Sequence, residues 1–186
     1  MSADRDAASE SVRDRHVVLI GLMGAGKTTV GQRLASRLAR PFVDTDDLVE
    51  ATAGRTVAQI FADDGEPAFR ALERAAVADA CASPTPLVIA VGGGAVVDPE
   101  SRRVIEAAGI VVWLRASAAE LAARVGRGEG RPLLAGATAP AEMLERLARL
   151  REPSYEAVAD VTVDTDALDP DTITDRVLEE VAACAA

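Results

Sequence analysis

The 186-residue chain contains few aromatic residues, a single lysine, two cysteines and no excess of positive charge. Phe, Trp and Tyr together make up 3% of the residues, so the core has to be built from aliphatic side chains. The net charge of −10 argues against a general nucleic-acid-binding protein, which usually presents a broad basic surface. A few local arginines or a helix N-terminus can still bind a small anion on an acidic protein.

The chain also lacks long apolar segments. No run approaches the ~20 apolar residues that a membrane-spanning helix needs, so we expect no membrane partner. Cys81 and Cys184 follow no metal-binding or redox spacing, which predicts two free thiols in a reducing compartment. Residues 1–15 are polar and contain no apolar core of a signal peptide. We therefore predict a disordered tail at 1–15, a single domain at 16–186 and a cytoplasmic protein.

Short apolar segments alternate with helical patterns along the rest of the chain. Strands are predicted at 16–20, 41–44, 86–91, 110–114 and 161–164, and the only histidine, His16, starts the first of them. Helices are predicted at 27–38, over most of 46–82 with breaks near Gly54 and Gly65, at 98–109, after Ser117, at 141–151 and from about 171. This alternation predicts an α/β fold with a parallel sheet. The segment at about 126–139 is glycine-rich and aperiodic, and its length suggests a functional loop.

The only lysine lies in the segment GLMGAGKTT, residues 21–29; the other nineteen of the twenty basic residues are arginines. Gly21, Gly26, Lys27 and Thr28 match G-x-x-x-x-G-K-[ST], between a predicted strand and a predicted helix. Glycines let the backbone N–H groups curl around a phosphate, and the helix N-terminus adds unpaired donors. The lysine ammonium then reaches the β- and γ-phosphates, and the threonine hydroxyl can serve Mg²⁺. The segment predicts a nucleoside triphosphate site.

Two large classes of triphosphate-binding proteins are disfavoured. A GTPase switch normally recognises guanine with Asn-Lys-x-Asp, but the only lysine of this chain is already in the loop. A motor or transporter ATPase normally ends a strand with a carboxylate, whereas the candidate strand PLVIAV runs into three glycines. Another element has to serve the metal, and a small-molecule kinase is favoured.

Asp44 and Asp46 lie at the end of the second predicted strand. Residues i and i+2 of a strand point to the same side, and ligands of parallel sheets gather at the carboxyl ends of strands. One carboxylate could hold Mg²⁺ and the other could accept a proton from an attacking hydroxyl. The alternative is structural, because Asp44 or Thr45 could cap the helix that follows.

Several further residues could bind a small anionic substrate. Arg70 lies three residues before Glu73 on a predicted helix, which also fits an ordinary surface ion pair. Residues 92–94 are three glycines at a strand end, where a substrate could approach the backbone closely, or where the chain simply turns. Arg131 and Arg151 could make bidentate contacts to carboxylate or phosphate, or could be solvated charges.

Taken together, the segments GLMGAGKTT, DTD, DGEPAFRALE, GGGAVV, RPLL and REPSY resemble the shikimate kinase family, over about residues 16–170. The resemblance implies transfer of the γ-phosphoryl of ATP to the 3-hydroxyl of shikimate, in the route to chorismate and aromatic amino acids. It also implies the fold of the nucleoside monophosphate kinases: helices around a five-stranded parallel sheet of order 2-3-1-4-5, with a mobile lid. A monomer is implied as well.

The resemblance further implies individual roles. Asp46 would contact the reacting hydroxyl as the base, while Asp44 and Thr28 would serve Mg²⁺. The residues implied in substrate binding are Asp46, Arg70, Gly92, Gly93, Gly94 and Arg151. Those implied in ATP binding are Gly24, Ala25, Gly26, Lys27, Thr28, Thr29, Arg124, Arg131 and Pro170. Lys27 and the lid residue Arg131 would neutralise charge on the transferred group.

Two alternatives remain at this point. A gluconate-type sugar-acid kinase would share the phosphate loop and a small anionic substrate, although the paired arginines and the glycine triplet favour shikimate. A kinase-like regulator could bind its ligands without turnover. Against this, the chain has all of the candidate residues for phosphoryl transfer: Lys27, Thr28, Asp44, Asp46 and Arg131.

Overall fold

The computed structural model describes residues 15–126 and 140–184. The predicted tail up to residue 14, the predicted lid from residue 127 onward and its residue Arg131 lie outside the described residues. Both cysteines lie inside them and are free thiols, as predicted. None of the helices in the described ranges is long and apolar enough to cross a membrane.

Five parallel strands form one sheet. The strands are β1 (His16–Ile20), β2 (Phe42–Asp44), β3 (Val88–Ala90), β4 (Gly109–Arg115) and β5 (Val161–Asp164). Their order is β2-β3-β1-β4-β5, and the central residue Val18 pairs with Ile89 on one side and Val111 on the other. All five residues of β1 are buried, so helices cover both faces of the sheet. The predicted three-layer α/β fold and its strand order are confirmed.

The helices begin and end largely where the sequence places them. They are α1 (Lys27–Leu38), α2 (Thr45–Ala53), α3 (Val57–Asp63), α4 (Gly65–Cys81), α5 (Pro99–Ala108), α6 (Ala118–Val125), α7 (Pro140–Val158) and α8 (Pro170–Ala183), with a 3₁₀ turn at Ala95–Val97. The predicted break near Gly54 is confirmed, because this residue ends α2 in the left-handed region at φ 63°. Asp98 and Ser117 cap α5 and α6 by accepting hydrogen bonds from backbone N–H groups three residues on.

One helix boundary was predicted wrongly. The sequence places the end of a helix at residue 151, before Pro153, but α7 continues through this proline to Val158. A proline in a helix removes one N–H donor and crowds the preceding turn. Here the residues beyond the proline are anchored by burial, since Tyr155 and Val158 are only 1% and 5% exposed. Arg151 therefore lies within a helix rather than at its end.

Helices α2, α3 and α4 enclose a small apolar cluster of their own, separate from the main core. It consists of Val49, Ile60, Phe69 and Ala76, and the ring centroids of Phe61 and Phe69 are 4.7 Å apart. The cluster holds these three helices together as one wall beside the sheet. That wall stands next to the carboxyl ends of β1, β2 and β3, which are followed by Gly21, Thr45 and Val91. Ligand sites of parallel α/β sheets form at this edge.

Candidate active site

The loop between β1 and α1 has the backbone shape that a phosphate site requires. Gly24 and Gly26 adopt φ values of 85° and 95°, which side-chain-bearing residues rarely adopt. A Cβ on Gly24 would also lie 3.2 Å from the carbonyl oxygen of Leu121. The Nζ of Lys27 donates hydrogen bonds to the carbonyls of Gly21 at 2.8 Å and Leu22 at 3.2 Å. The only ammonium group of a side chain thus lies across the loop, at the N-terminus of α1.

A cavity of about 530 Å³, here called the loop cavity, lies against this loop. Its lining includes Gly24, Gly26, Lys27, Thr28, Thr29, Asp44, Asp46, Arg124 and Pro170. Of the described residues predicted to bind ATP, Ala25 is the exception, because it is buried and lines a different cavity. The volume is large enough for a nucleotide-sized ligand.

Arg124 is held in place by a buried threonine. Its guanidinium donates to the Oγ1 of Thr165 at 3.1 Å and to the Thr165 carbonyl at 2.7 Å, and it pairs with Glu120 at 2.9 Å. Thr165 begins the connection that leads from β5 to Pro170 at the start of α8. The predicted ATP-binding residues Arg124 and Pro170 are therefore linked through one short segment.

The carboxylate of Asp44 joins the phosphate loop to α2. Its Oδ2 accepts a hydrogen bond from the Thr28 hydroxyl at 2.8 Å, and its Oδ1 accepts one from the N–H of Asp46 at 3.1 Å. Asp44 is thus the N-cap of α2, as the structural alternative proposed, and also contacts the loop residue predicted to serve the metal. The premise that Asp46 lies on a strand is wrong, because β2 ends at Asp44 and Asp46 is in the first turn of the helix.

A second cavity, here called the arginine cavity, measures about 210 Å³. Its lining includes all six residues predicted to bind the substrate: Asp46, Arg70, Gly92, Gly93, Gly94 and Arg151. The apolar residues Val57, Phe61 and Phe69 also line this cavity. Lys27 and Asp46 line both cavities, so these two side chains stand where the two spaces meet.

Arg70 is fixed by two carboxylates. Its Nη1 lies 2.6 Å from Oε2 of Glu73, and its Nε and Nη2 contact Oε1 of Glu66 at 3.1 and 2.8 Å. Burial alone would lower the pKa of this guanidinium, but the attraction of Glu73 and Glu66 outweighs it and raises the pKa. Because Glu73 is buried, the surface ion pair considered from the sequence does not describe this pair.

Arg151 is buried rather than solvated. Only 6% of the residue is exposed, and its Nη1 donates a hydrogen bond to the Gly93 carbonyl at 3.0 Å. The arginine cavity therefore has two guanidinium groups in its wall, one from α4 and one from α7. Two such groups suit a planar carboxylate, which can accept hydrogen bonds from both.

Each of the three glycines after β3 leaves room for a different part of the site. A Cβ on Gly92 would collide with the carboxylate of Glu73, and one on Gly94 would collide with the guanidinium of Arg70. A Cβ on Gly93 would lie 3.1 Å from the Gly21 carbonyl, so this glycine lets the triplet pack against the phosphate loop. The simple loop turn considered from the sequence does not explain three such contacts.

Four supporting residues were not predicted as site residues. The buried hydroxyl of Thr45 accepts a hydrogen bond from the N–H of Gly92 at 3.0 Å, and Thr165 holds Arg124 as described.

Glu73 orients Arg70, and its spacing of three residues along one helix was a usable signal. Tyr155, which follows Arg151 by four residues, donates a hydrogen bond to the Gly93 carbonyl at 2.6 Å. The spacing of Tyr155 from Arg151 could not serve as a signal, because the helix was predicted to end at residue 151.

Comparison with known proteins decides the family. A sequence model of the family described as shikimate kinase matches residues 23–182. The chain belongs to the shikimate kinase family. It is therefore an ATP-dependent kinase, in agreement with the resemblance that the sequence motifs show.

Individual members of the shikimate kinase family are similar over nearly the whole chain. A shikimate kinase from Symbiobacterium thermophilum is 48% identical over 169 residues, which cover 89% of this chain and 95% of the relative. The structure of a shikimate kinase from Acinetobacter baumannii in complex with shikimate superposes with a TM-score of 0.90 at 33% identity, covering 95% and 98% of the two chains. A gluconokinase from Sinorhizobium meliloti reaches a TM-score of 0.61 at 23% identity, covering 93% and 94%, and shares the fold.

Proposed function

We propose that the chain transfers the γ-phosphoryl group of ATP to the 3-hydroxyl of shikimate, giving shikimate 3-phosphate and ADP on the route to chorismate and aromatic amino acids. The observation that carries this proposal is the junction of the two cavities at Lys27 and Asp46. A triphosphate in the loop cavity and an acceptor in the arginine cavity would meet there. Phosphoryl transfer depends mainly on such alignment and on neutralising the charge of the transferred group.

On the ATP side, the loop glycines and the N-terminus of α1 would hold the phosphates through backbone N–H groups. Lys27 would bind the β- and γ-phosphates and counter the charge that spreads over the transferred oxygens. Arg124 and Pro170 would lie on the two sides of the adenine ring. Arg131, which is outside the described residues, is proposed as the lid arginine that completes the positive charge.

The chemistry of Thr28 and Asp44 fits Mg²⁺. A hydroxyl and a carboxylate oxygen 2.8 Å apart beside the phosphate loop are hard oxygen donors, which this ion prefers together with phosphate oxygens and water. When bound, Mg²⁺ would neutralise phosphate charge and help to align the γ-phosphoryl group.

On the acceptor side, Arg70 and Arg151 would clamp the shikimate carboxylate, and the backbone of residues 92–94 would contact the ring. Asp46 would hold the 3-hydroxyl and accept its proton as the new bond to phosphorus forms. The backbone hydrogen bond from Asp46 to Asp44 fixes the first turn of α2, so it also limits where the Asp46 carboxylate can reach. The proposal includes a monomeric enzyme of the cytoplasm.

The proposal is tested by ADP formation from ATP and Mg²⁺ with shikimate, with gluconate or with neither acceptor. We expect turnover with shikimate alone. Turnover with gluconate only would identify a sugar-acid kinase, an alternative that rests on the shared fold. Binding of ATP and shikimate without ADP formation would identify a regulator without catalytic activity.

A further inference from the structure

The carbonyl oxygen of Gly93 accepts hydrogen bonds from two side chains of the same helix. The Tyr155 hydroxyl lies 2.6 Å from it and the Nη1 of Arg151 lies 3.0 Å from it. The two donors are four residues apart on α7 and therefore lie on one face of the helix. A carbonyl oxygen has two lone pairs, so these two donors use its full capacity.

The Tyr155 ring is itself fixed in the core. It stacks on Trp113 of β4 with ring centroids 5.5 Å apart and planes inclined by 22°. Burial raises the pKa of Tyr155, so its hydroxyl keeps the proton that it donates to Gly93. The hydroxyl is thus a donor with a fixed position, connecting the centre of the sheet to the glycine triplet.

The peptide unit that Tyr155 holds lies beside both arginines of the cavity. Arg151 donates to its carbonyl, and the guanidinium of Arg70 occupies the space that a side chain on Gly94 would need. Because a trans peptide places C=O and N–H on opposite sides, fixing the Gly93 carbonyl also fixes the direction of the Gly94 N–H. One buried hydroxyl therefore helps to set the position of Arg151 and of the backbone beside Arg70.

We propose that Tyr155 is a positioning residue for the acceptor: its hydroxyl holds the Gly93–Gly94 peptide and Arg151 in the geometry that binds the substrate carboxylate and ring. The proposal rests on the proposed function of the arginine cavity. Tyr155 does not touch the substrate and acts through Gly93 and Arg151. Its hydroxyl should consequently affect acceptor binding and leave ATP binding unchanged.

The test is Tyr155→Phe, which removes the hydroxyl and keeps the ring that stacks on Trp113. We expect the KM for shikimate to rise about threefold to tenfold, as for loss of one buried hydrogen bond, while the KM for ATP stays at the wild-type value. The direct binding constant for shikimate, measured by calorimetry, should change by the same factor. Thermal unfolding of each variant reports the separate effect on stability.

Ser101→Ala is the matched control. The hydroxyl of Ser101 is also buried and donates to Asp98 at 3.0 Å, at the start of α5 and away from both cavities. We expect this variant to lose stability and to keep the wild-type KM for shikimate. The role of Tyr155 is contradicted if Tyr155→Phe unfolds at a lower temperature but binds shikimate like the wild type. It is equally contradicted if the KM values for both substrates rise together.

The wild type is assayed in parallel with shikimate and gluconate, and KM is taken for the acceptor that it phosphorylates. A wild type that uses gluconate alone contradicts the proposed function. A Tyr155→Phe variant with the wild-type KM for the acceptor in use contradicts only the role of Tyr155. The two failures are therefore distinguishable.

Discussion

Glu73 and Arg70 form an ion pair in which the acid is buried and the base is turned toward a cavity. The distance between Oε2 and Nη1 is 2.6 Å, and the side chains are 4% and 22% exposed, respectively. The Glu73 carboxylate is buried away from water, so removing the Arg70 guanidinium would leave an unpaired buried charge. The pair therefore fixes the direction of the Arg70 guanidinium before any substrate arrives.

Glu73→Gln should weaken shikimate binding. The variant keeps the shape of the side chain but loses the charge that holds Nη1, so Arg70 is less well oriented. We expect the KM for shikimate to rise about 10-fold to 100-fold, with little change in the KM for ATP. Steady-state kinetics with each substrate varied in turn measures this. Glu66→Gln is the comparison, because Glu66 is half exposed and its loss should raise the KM less. Equal effects of the two variants would contradict the role assigned to the buried pair.

Gly94→Ala should damage acceptor binding with little effect on the fold. The backbone of Gly94 has φ −100° and ψ −14°, which alanine adopts without strain, so the substitution should leave the backbone in place. The new methyl group, however, would lie in the space of the Arg70 guanidinium, 2.9 Å from its Cζ, and would push it aside. We expect a loss on the order of 10²-fold in kcat/KM for shikimate. A normal kcat/KM, with thermal unfolding as in the wild type, would show that Arg70 need not occupy this position.

Asp46→Asn should separate binding from chemistry. Asparagine keeps the size of the side chain but accepts no proton, so we expect kcat to fall roughly 10²- to 10⁴-fold while ATP binding is retained. ADP release and nucleotide binding by fluorescence titration measure the two quantities.

Asp47→Asn is the neighbouring comparison. Burial, followed by repulsion from Asp44 and Glu50, raises the pKa of Asp47, and its substitution should reduce kcat less. Near-normal turnover in Asp46→Asn would remove this residue from the role of base.

His16 should make stability depend on pH. Its Nδ1 accepts a hydrogen bond from the N–H of Leu87 at 2.9 Å, which requires the neutral ring. Burial chiefly lowers the pKa of His16 from its ordinary value of 6.5, helped by nearby Arg40 and opposed by backbone hydrogen bonds to Cys81 and Ser83. Since the unfolded chain binds the proton more tightly, the contribution is fully present above pH 6.5 and is lost as the pH falls through the lowered folded-state pKa.

His16→Asn checks this dependence, because asparagine retains an acceptor near the position of Nδ1 and does not titrate. The free energy of unfolding in urea is measured for both proteins between pH 7.5 and pH 5. We expect the wild type to lose more stability than the variant over this range. Parallel curves for the two proteins would show that His16 does not titrate between the folded and unfolded states.

Strands and helices bounded by strong local signals could be predicted from the sequence. The bounds of β1 and β5 are those predicted, because each is a short apolar run bounded by polar or loop-forming residues. The prediction for β3 was too long, since the apolar run at 86–91 extends beyond the residues that pair. Only Val88–Ala90 belong to the strand, because their length is set by the neighbouring strands β1 and β2. Hydrophobicity indicates that a segment is buried, but it does not indicate which of its residues pair with neighbouring strands.

The error at α7 shows a local rule overridden by tertiary packing. Proline disfavours a helix interior, and the sequence offers no sign that Pro153 is tolerated. What stabilises the helix beyond it is the burial of Tyr155 and its contact with Gly93, 62 residues away in sequence. Contacts of this kind cannot be inferred from spacing along one helix.

The residues of the candidate site could be predicted from the sequence, but the residues that hold them in position could not. Lys27, Asp46, Arg70 and Arg151 belong to motifs whose chemistry can be argued from residue types. The burial of Glu73 and the anchoring of Arg124 by Thr165 depend on which elements meet in space. The strand-based argument for Asp46 was wrong, because this residue reaches the cavity from the first turn of a helix.

The lone lysine gives this protein an unusual chemical handle. An acylating reagent finds a single side-chain amine in the sequence, and that amine lies at the junction of the loop cavity and the arginine cavity. Incorporation of one label at Lys27 therefore reports directly on access to that junction. A ligand that shields this amine is detected by mass spectrometry as the loss of the label at residue 27, with no need for a substituted residue.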